Sequence, residues 1–416
     1  MIKRHLSIFI VIAIALSSCA TGSAPVAKKA STQQPFPAPP DEPRYYFERS
    51  IRSNLDVLPD EDASNNLMRS LTGAKRVAKG FVKPYAIAVH QGKVYVGDAP
   101  RRAVMVFDIP KQDFFMLGTE EDENGQGKLQ RPMGLDIDKA GNVYVLDAAQ
   151  KQVMVYTGDG KFQRAFGNST MLYRPAGLAV TPDGARVYAV DIGGSSSDEH
   201  KIVVFNGITG ERLPDIGKRG TQQGDFNLPR DVVISPLDGS IYVVDSGNFR
   251  VQKFDKEGKF VKTWGGIGDN PGQFSRPKEA AIDPKGNVAV VDTLFGNFQL
   301  FDSDGNLMMA VGNRSSTNGP GLYALPAGIA ADDDGRFYVV DQYFAKVDVF
   351  RPAELPEDGG WIGKFNKIKM AKPEAVSADS AVSPVPNSDA IGKPSGELPP
   401  ANQPISEEAP TENLVK

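Results

Sequence analysis

The sequence predicts an all-β fold, a six-bladed β-propeller of four-stranded antiparallel blades, and the prediction starts from residues 228–265. Four short apolar runs in this stretch are separated by turn-forming residues such as Asp238 and Gly239, as in four strands joined by tight turns. The second run, Ile241–Val244, is apolar at every position, which predicts a strand buried on both faces. One sheet alone cannot bury such a strand, so the stretch requires copies of itself.

The copies recur with two markers in one register. A proline opens the first strand of each unit, and these prolines are Pro84, Pro132, Pro175, Pro229, Pro277 and Pro326. An aspartate closes each second strand, and these aspartates are Asp98, Asp147, Asp191, Asp245, Asp292 and Asp341. Because both markers keep one register through six units, the sequence predicts six blades.

Two Gly-rich segments precede repeated prolines: GKRGTQQGDFNLP at 217–229 and GGIGDNPGQFSRP at 265–277. The first leads into VVDSGNFRVQKF at 243–254, and together these segments resemble the NHL-repeat family of β-propellers. The resemblance covers residues 84–352 and implies six blades. Because the family includes enzymes, RNA-binding proteins and protein scaffolds, the resemblance does not choose a function.

The ring needs a closing strand because the last repeat lacks its fourth. Residues 44–52, RYYFERSIR, alternate as a strand does, and we expect this N-terminal segment to pair with the last blade. An unpaired edge would leave backbone groups without partners and invite aggregation. Residues 360–365, GWIGKF, are an alternative closing strand with a shorter pattern.

The N-terminus has the features of a bacterial lipoprotein signal. Lys3 and Arg4 precede an apolar run, Leu6–Leu16, that is too short to span a bilayer. After Leu16 come Ser17, Ser18 and Cys19, the single cysteine of the chain, and this segment resembles a lipobox. The resemblance implies cleavage before Cys19, acylation of Cys19 with fatty acids such as palmitate, and, with Ala20 next, anchoring in the outer membrane. A plain secretory signal is the alternative, and the side of the membrane stays open.

These features divide the chain into a signal peptide at 1–18, a lipidated Pro- and Ala-rich tether at 19–43, a propeller at 44–370 and a disordered acidic tail at 371–416. The formal net charge of −4 gives no long-range field that would favour nucleic acid. We therefore expect no nucleic-acid partner and look for local binding patches.

The repeated aspartates have a structural interpretation. A carboxylate at a strand end can accept hydrogen bonds from the N–H groups of the following turn and pair with a base at the start of the third strand, such as Arg250, Lys346 or Lys201. Catalysis does not normally need one residue six times over.

Histidine argues against one class of enzyme. The chain has three histidines, His5 in the signal segment, His90 and His200, so it cannot assemble a His-rich zinc site like those of some propeller lyases. It also lacks a Ser-centred nucleophile motif and a phosphate loop. The sequence therefore favours a non-catalytic role, with no catalytic residue, cofactor or metal assigned.

Basic residues gather where the first strands begin, at the predicted mouth of the channel. They are Lys83, Arg131, Arg174, Arg230, Arg276 and Lys278, and Asp231 and Glu279 stand among them. One interpretation is recognition of an anionic group, such as a carboxylate on a partner protein, a haem propionate or an acidic glycan. The other is salt bridging that braces adjacent blades. Asp231 and Glu279 could instead hold Ca²⁺, as in a channel-sited lactonase or lyase, which is the alternative function.

Loop aromatics follow the repeated aspartates of blades 4 to 6: Phe249, Phe295, Tyr343 and Phe344. They form either an apolar contact patch or small loop cores. The combined prediction is a membrane-anchored binding or assembly module of the cell envelope. Its partner would be a protein, with an electron-transfer assembly as one possibility, bound by the face that carries the cations and these loops.

Overall fold

The computed structural model describes residues 34–60, 71–72, 76–194 and 197–365 of the 416-residue chain. These residues build six antiparallel blades, five of four strands and one of five. The first strands of successive blades contact one another in a closed ring around a central channel. The predicted six-bladed β-propeller is therefore confirmed.

Each of the first five repeats supplies all four strands of its blade. The sixth repeat supplies the inner three strands of blade 6. Blade 1 consists of Pro84–His90, Lys93–Asp98, Ala103–Asp108 and Asp113–Leu117. Blade 2 consists of Pro132–Ile137, Val143–Asp147, Gln152–Tyr156 and Phe162–Phe166. Blade 3 consists of Pro175–Val180, Arg186–Asp191, Lys201–Asn206 and Arg212–Ile216.

The second half of the ring repeats the same order. Blade 4 consists of Asp231–Ile234, Ile241–Asp245, Arg250–Phe254 and Phe260–Gly265. Blade 5 consists of Pro277–Ile282, Val288–Asp292, Asn297–Phe301 and Leu307–Val311. Blade 6 consists of Pro326–Ala331, Phe337–Asp341, Lys346–Pro352, Tyr45–Ile51 and Pro35–Phe36.

Short elements decorate the ring. Asn313–Arg314 and Leu322–Tyr323 form a parallel pair in the loop between blades 5 and 6. The three-residue 3₁₀ helices are Asn54–Asp56, Ala99–Arg101 and Ser246–Asn248. Gly360–Gly363 is a short α-helix.

The N-terminal strand closes the ring, as predicted. Tyr45–Ile51 pairs antiparallel with Lys346–Pro352, the third strand of blade 6. Glu48 on the closing strand accepts a hydrogen bond from Nε of Arg336 at 2.7 Å, and both side chains are fully buried. The alternative closing segment forms the helix Gly360–Gly363 instead, so that alternative is wrong.

Blade 6 has a fifth strand, which the sequence analysis placed in the tether. Pro35–Phe36 pairs with Tyr45 and Tyr46 at the outer edge of the blade. The Phe36 ring packs edge to face on Phe350 with centroids 5.3 Å apart, so a buried aromatic residue fixes this short strand. The propeller therefore begins before residue 44.

The predicted signal peptide, Cys19 and the acidic tail lie outside the described residues. Within the described part of the chain, no helix has the length and apolar character needed to cross a membrane.

The hydrophobic core lies between neighbouring blades. The second strand of blade 4, Ile241–Asp245, is buried at every position, as its continuous apolar run predicts. Its side chains divide between two clusters: Val243 packs with Phe226 and Val190 toward blade 3, while Tyr242 packs toward blade 5. The inner strands of blade 4 are thus covered on one face by blade 3 and on the other by blade 5.

Candidate functional site

The six repeated aspartates are buried and structural. Each accepts hydrogen bonds from backbone N–H groups of the segment that leads into the first strand of its own blade. In blade 5, Asp292 accepts from Ser275 and Arg276, both at 2.8 Å. Its other oxygen accepts from Leu294 and Phe295 in the following turn, as predicted.

Of the three predicted ion pairs between a repeated aspartate and a basic residue, only one forms. Nε of Arg250 lies 2.8 Å from Oδ2 of Asp245, as expected. Lys346 instead pairs with Asp348 at 2.6 Å, because residues two apart on a strand share a face. Lys201 pairs with acidic groups of the preceding loop and of the fourth strand of blade 3, so these two predicted pairs are wrong.

Six basic residues, which we call the cation ring, flank the starts of the first strands: Lys83, Arg131, Arg174, Arg230, Arg276 and Lys278. The first strands line the channel, so the cation ring surrounds one channel mouth. The connections between blades lie on this side, which we call the top face. Arg230 and Lys278 are half-buried, and the other four are exposed.

The repeated aspartates position the cation ring. The backbone N–H groups of Lys83, Arg131, Arg174 and Arg276 each donate to the aspartate of their own blade. Because that aspartate is buried and fixed in a strand, it sets the point from which each basic side chain leaves the backbone. The repeated structural residue thus organises the candidate site.

The cation ring forms no close ion pair in the part of the chain that the structure describes. No carboxylate there lies within 4.0 Å of any of its cationic groups, although the more distant charge of Glu279 acts on Lys278. Nζ of Lys278 lies 5.8 Å from the centroid of the Tyr85 ring. Burial lowers the pKa of Lys278 to about 8, and the positive charge of Arg276 contributes. Close salt bridges therefore do not brace these residues against the described part of the chain.

The channel behind this mouth is narrow and mostly aliphatic. It encloses about 150 Å³ and is lined by the first strands of all six blades. Three carboxyl groups interrupt the apolar lining: Asp136 of blade 2, Asp231 of blade 4 and Glu279 of blade 5. The volume suits a few water molecules rather than a large ligand.

Each of these carboxyl groups connects its blade to the next one. Oδ2 of Asp136 accepts from the N–H of Val180 at 2.8 Å, and Oδ2 of Asp231 accepts from Ala280 at 2.9 Å. Glu279 bonds in the same way to the next first strand, at Ile329. The three groups therefore hold first strands together across blade boundaries.

The first strands of blades 3 and 4 approach each other closely at Gly177, where the absence of a side chain leaves room for Asp231. A Cβ at Gly177 would lie 2.6 Å from Oδ1 of Asp231 and 2.7 Å from the backbone oxygen of Arg230. Only glycine fits at this position without moving backbone. The sequence analysis did not single out Asp136 or Gly177, because neither recurs in all six repeats.

Burial favours the protonated form of the channel carboxyl groups. It raises the pKa of both Asp136 and Asp231 to about 7. Burial, with the nearby charge of Asp231, also raises the pKa of Glu279. Near neutral pH Asp136 and Asp231 are therefore only partly ionised, which reduces the negative charge that the channel sets against the cation ring above it.

The channel carboxyl groups fit a calcium ion poorly. Ca²⁺ takes six to eight oxygen ligands and favours ionised carboxylates. Asp231 and Glu279 already accept backbone hydrogen bonds, and burial favours their neutral forms. Among the described residues, no group of three or more His, Cys, Asp or Glu is arranged to hold a metal. The lactonase or lyase alternative stays a prediction of the sequence.

The predicted loop aromatics divide between the two interpretations. Phe249 is partly buried against the core between blades 4 and 5, and Phe295 and Phe344 are half-buried. Tyr343 is 69% exposed and rests edge to face on Phe344 with centroids 5.2 Å apart. The Tyr343 ring is therefore accessible to a partner, whereas Phe249 belongs to a loop core.

Other exposed apolar side chains of the top face escaped the sequence analysis. With Tyr343 they form what we call the apolar rim, which consists of Val82, Tyr173, Ile267, Leu294 and Tyr343. Tyr173 is 59% exposed, and Nζ of Lys151 lies 5.3 Å from its ring centroid. Val82 and Tyr173 directly precede cation-ring residues, a sequence signal that could have identified them.

A family model of the NHL repeat matches residues 226–254. The match covers the first three strands of blade 4, the unit that the other blades repeat. The chain is an NHL-repeat β-propeller. At this level the family points to a protein-binding module.

Several known proteins are similar to part of this chain. NHL repeat-containing protein 3 of Mus musculus is 28% identical over 214 residues, 49% of this chain and 59% of the relative. Peptidyl-glycine alpha-amidating monooxygenase of Mus musculus is 28% identical over 181 residues, 41% of this chain and 17% of the relative. E3 ubiquitin-protein ligase NHLRC1 of Homo sapiens is 30% identical over 139 residues, 33% of this chain and 32% of the relative. The chain spans less than two thirds of each of these proteins.

A solved structure supports the fold. The crystal structure of a Bacteroides thetaiotaomicron protein of unknown function matches with a TM-score of 0.51 at 17% identity. The match covers 73% of this chain and 76% of the other. At this identity the likeness concerns the fold alone.

Proposed function

We propose that this NHL-repeat propeller is a non-catalytic binding module that captures an anionic protein surface with its cation ring and apolar rim. The observation that carries the proposal is the cation ring itself: basic groups from five blades meet at one mouth with no ion-pair partner among the described residues. Like charges held together raise the free energy of the unliganded state. A bound anion relieves that repulsion.

The apolar rim favours a protein over a small anion. Interface hot spots are enriched in tyrosine and arginine, and the top face presents both, with Tyr173 beside Arg174 and Tyr343 in blade 6. The rim residues lie at intervals around the cation ring, in blades 1, 3, 5 and 6 and the loop after blade 4. A partner that covered the ring would bury them too.

The chemistry of the partner follows from the donors. Arginine binds carboxylate oxygens in a forked, charge-assisted geometry. Acidic side chains of an envelope protein, an acidic glycan and a haem propionate of an electron-transfer assembly all present such oxygens. Of these, acidic protein side chains fit best, because the rim supplies apolar contacts that an isolated carboxylate would not use.

The N-terminal sequence supports an address in the cell envelope. In this proposal Cys19 carries the lipid, the outer membrane holds the anchor, and the propeller presents its top face to a partner there. The lipid needs a second membrane signal or several acyl chains for a stable anchor, which acylation at Cys19 would supply.

An acidic peptide tests the proposed chemistry. We expect the full-length protein to bind an oligo-glutamate peptide that carries one tyrosine, with affinity that falls steeply between low and high salt. Arg131→Glu with Arg276→Glu should abolish binding. Equal binding by this double variant, or affinity that does not depend on salt, would refute recognition by the cation ring.

A further inference from the structure

On the face opposite the cation ring, a buried network presents one tryptophan to solvent. Trp361 is 44% exposed, and its backbone N–H donates to Oδ2 of Asp334 at 2.8 Å. The same oxygen accepts from Nη1 of Arg336 at 2.8 Å. Arg336 is fully buried and donates from Nη2 to the backbone oxygen of Gly359 at 2.8 Å. A buried guanidinium thus fixes the segment that carries an exposed ring.

The backbone before Trp361 has a conformation that glycine alone adopts readily. Gly360 has φ of +69°, and a Cβ there would overlap the Asp334 carboxylate. Cβ of Trp361 lies beside Gly92, in the turn after the first strand of blade 1, and Pro110 of the turn after the third strand lies next to both. The backbone that carries the indole is therefore held in place before any ligand arrives, which reduces the entropy lost on binding.

Trp361 stands between two depressions. One has a volume of about 380 Å³ and lies between the turns of blades 1 and 2, with His90 and Gly141 opposite Trp361. The other has a volume of about 460 Å³ and extends toward Lys364 and Phe365. Trp361 and Pro110 line both depressions, so the two adjoin there, and we call the pair the Trp361 groove. Two adjoining depressions on either side of one exposed ring can take neighbouring units of a chain-like ligand.

In the depression between blades 1 and 2, the charges are already paired. Nζ of Lys93 lies 3.5 Å from Oδ2 of Asp108 and 3.3 Å from Oδ1 of Asp159. The Lys93 ammonium also donates to the backbone oxygen of Gly158 at 3.4 Å. Lys111 lies 3.9 Å from Asp108, so two lysines and two aspartates balance one another. A charged ligand would have to break these pairs.

We infer that the Trp361 groove is a binding site for a neutral oligosaccharide, with one sugar ring stacked on the indole of Trp361. An uncharged polyhydroxyl ligand suits this groove because its hydroxyl groups can donate to Asp108 and Asp159 and accept from Lys93 without disturbing the charge balance. The indole offers a broad apolar face for the C–H side of a sugar ring. Both depressions are within the size range of small-ligand sites.

This inference does not depend on the proposed function, because the groove is built from turns on the opposite face. The turns are those after the first and third strands of blades 1 and 2, together with the C-terminal helix. A variant of the groove should therefore leave the acidic-peptide binding of the cation ring unchanged.

Tryptophan fluorescence of the full-length protein tests the site, because the chain has two tryptophans and Trp264 is packed in the core between blades 4 and 5. The probes are maltotetraose, mannotetraose and chitotetraose, titrated separately. At least one should shift the emission of the wild type and should not shift that of Trp361→Phe, which keeps the packing on blade 1. Trp361→Ala should weaken binding at least about tenfold in calorimetry.

A second variant and a control complete the test. Asp159→Asn should weaken the same binding about threefold or more, since its side chain is 85% exposed and its loss should not disturb folding. Ile208→Ala, an exposed apolar residue in a turn of the same face in blade 3, should have no effect. Failure of all three probes to bind, or equal binding by wild type and Trp361→Ala, would overturn the inference. Binding of an acidic peptide that Trp361→Ala abolishes would also overturn it.

Discussion

The backbone N–H of Arg276 donates to the buried carboxylate of Asp292 over 2.8 Å, which joins the end of one strand to the start of another in blade 5. The same bond recurs in blades 1, 2 and 3, where a basic residue again supplies the N–H group. The marker that sets the register of the repeat is therefore also the group that places the cations. In these four blades the fold and the candidate site share one aspartate each, whereas the N–H of Arg230 in blade 4 donates to the backbone oxygen of Val244.

Removing that carboxylate should cost stability. Asp292→Ala leaves the N–H groups of Ser275, Arg276, Leu294 and Phe295 without their acceptor, and we expect a loss of about 2–4 kcal/mol in the free energy of unfolding. Denaturant unfolding measures the loss. The control is Asp304→Ala in the same blade, whose side chain is 75% exposed and which should cost less than about 1 kcal/mol. A loss for Asp292→Ala no larger than for the control would disprove the structural role.

Ring closure should depend on Glu48. Glu48→Ala removes the fully buried carboxylate that pairs with Arg336 and leaves Asp334 to balance this buried cation, and breaking a buried ion pair on one side typically costs about 3–5 kcal/mol. We expect a lower unfolding temperature and faster aggregation, because the edge of blade 6 loosens. Glu211→Ala, on an exposed turn of blade 3, is the control. If the two variants unfold alike, Glu48 does not secure the closing strand.

The channel carboxyl groups should make stability depend on pH. Burial raises the pKa of Asp231 to about 7 in the folded state, above its ordinary value. A raised folded pKa gives stability that is fully present below the ordinary pKa and is lost as pH rises through about 7. Asp231→Asn cannot ionise and keeps an oxygen to accept from Ala280.

The unfolding temperature of Asp231→Asn relative to the wild type should therefore rise between about pH 4 and pH 7 and then level off. Thermal unfolding across this range measures the difference. Asp269→Asn, an exposed loop substitution, should show no such trend. A difference for Asp231→Asn that does not change with pH would contradict the raised pKa.

The lipid anchor can be tested apart from the propeller. Cys19→Ser removes the acceptor for acylation, so metabolic labelling with palmitate should mark the wild type and not the variant. We expect the variant to accumulate as an uncleaved or soluble form. Fatty-acid labelling of Cys19→Ser would show that the anchor lies elsewhere or is absent.

The architecture could be predicted because its determinants are local and repeated. Each repeated aspartate ends the second strand of its blade, and five of the six repeated prolines open the first strand, while Pro229 lies just before the strand Asp231–Ile234. The closing strand carries its own alternation. The predicted pairing of Lys346 failed for a local reason: Lys346 and Asp348 lie on the same face of one strand, and the repeated Asp341 has its oxygens occupied by backbone N–H groups. Lys346 therefore pairs with the carboxylate two residues further along its own strand.

The remainder of the site depends on contacts that no repeat records. Asp136 acts through Val180 of the next blade, and a sequence without its fold does not reveal that neighbour. The position of Trp361 depends on Arg336, which bonds to Gly359 and lies in the turn between the first and second strands of blade 6. The absence of close ion pairs around the cation ring could also be known only from side-chain positions, because the same charges could equally have braced adjacent blades.

The most direct test of the binding proposal compares two double charge reversals with equal change in net charge. Arg131→Glu with Arg276→Glu alters the cation ring, and Lys256→Glu with Lys285→Glu alters exposed turns of the opposite face. Membranes of the native host are incubated with each lipidated protein, and bound proteins are cross-linked and identified. The account predicts that the wild type and the Lys256/Lys285 variant retain the same partners and that the Arg131/Arg276 variant loses them. Retention by the Arg131/Arg276 variant, with loss by the other, would contradict it.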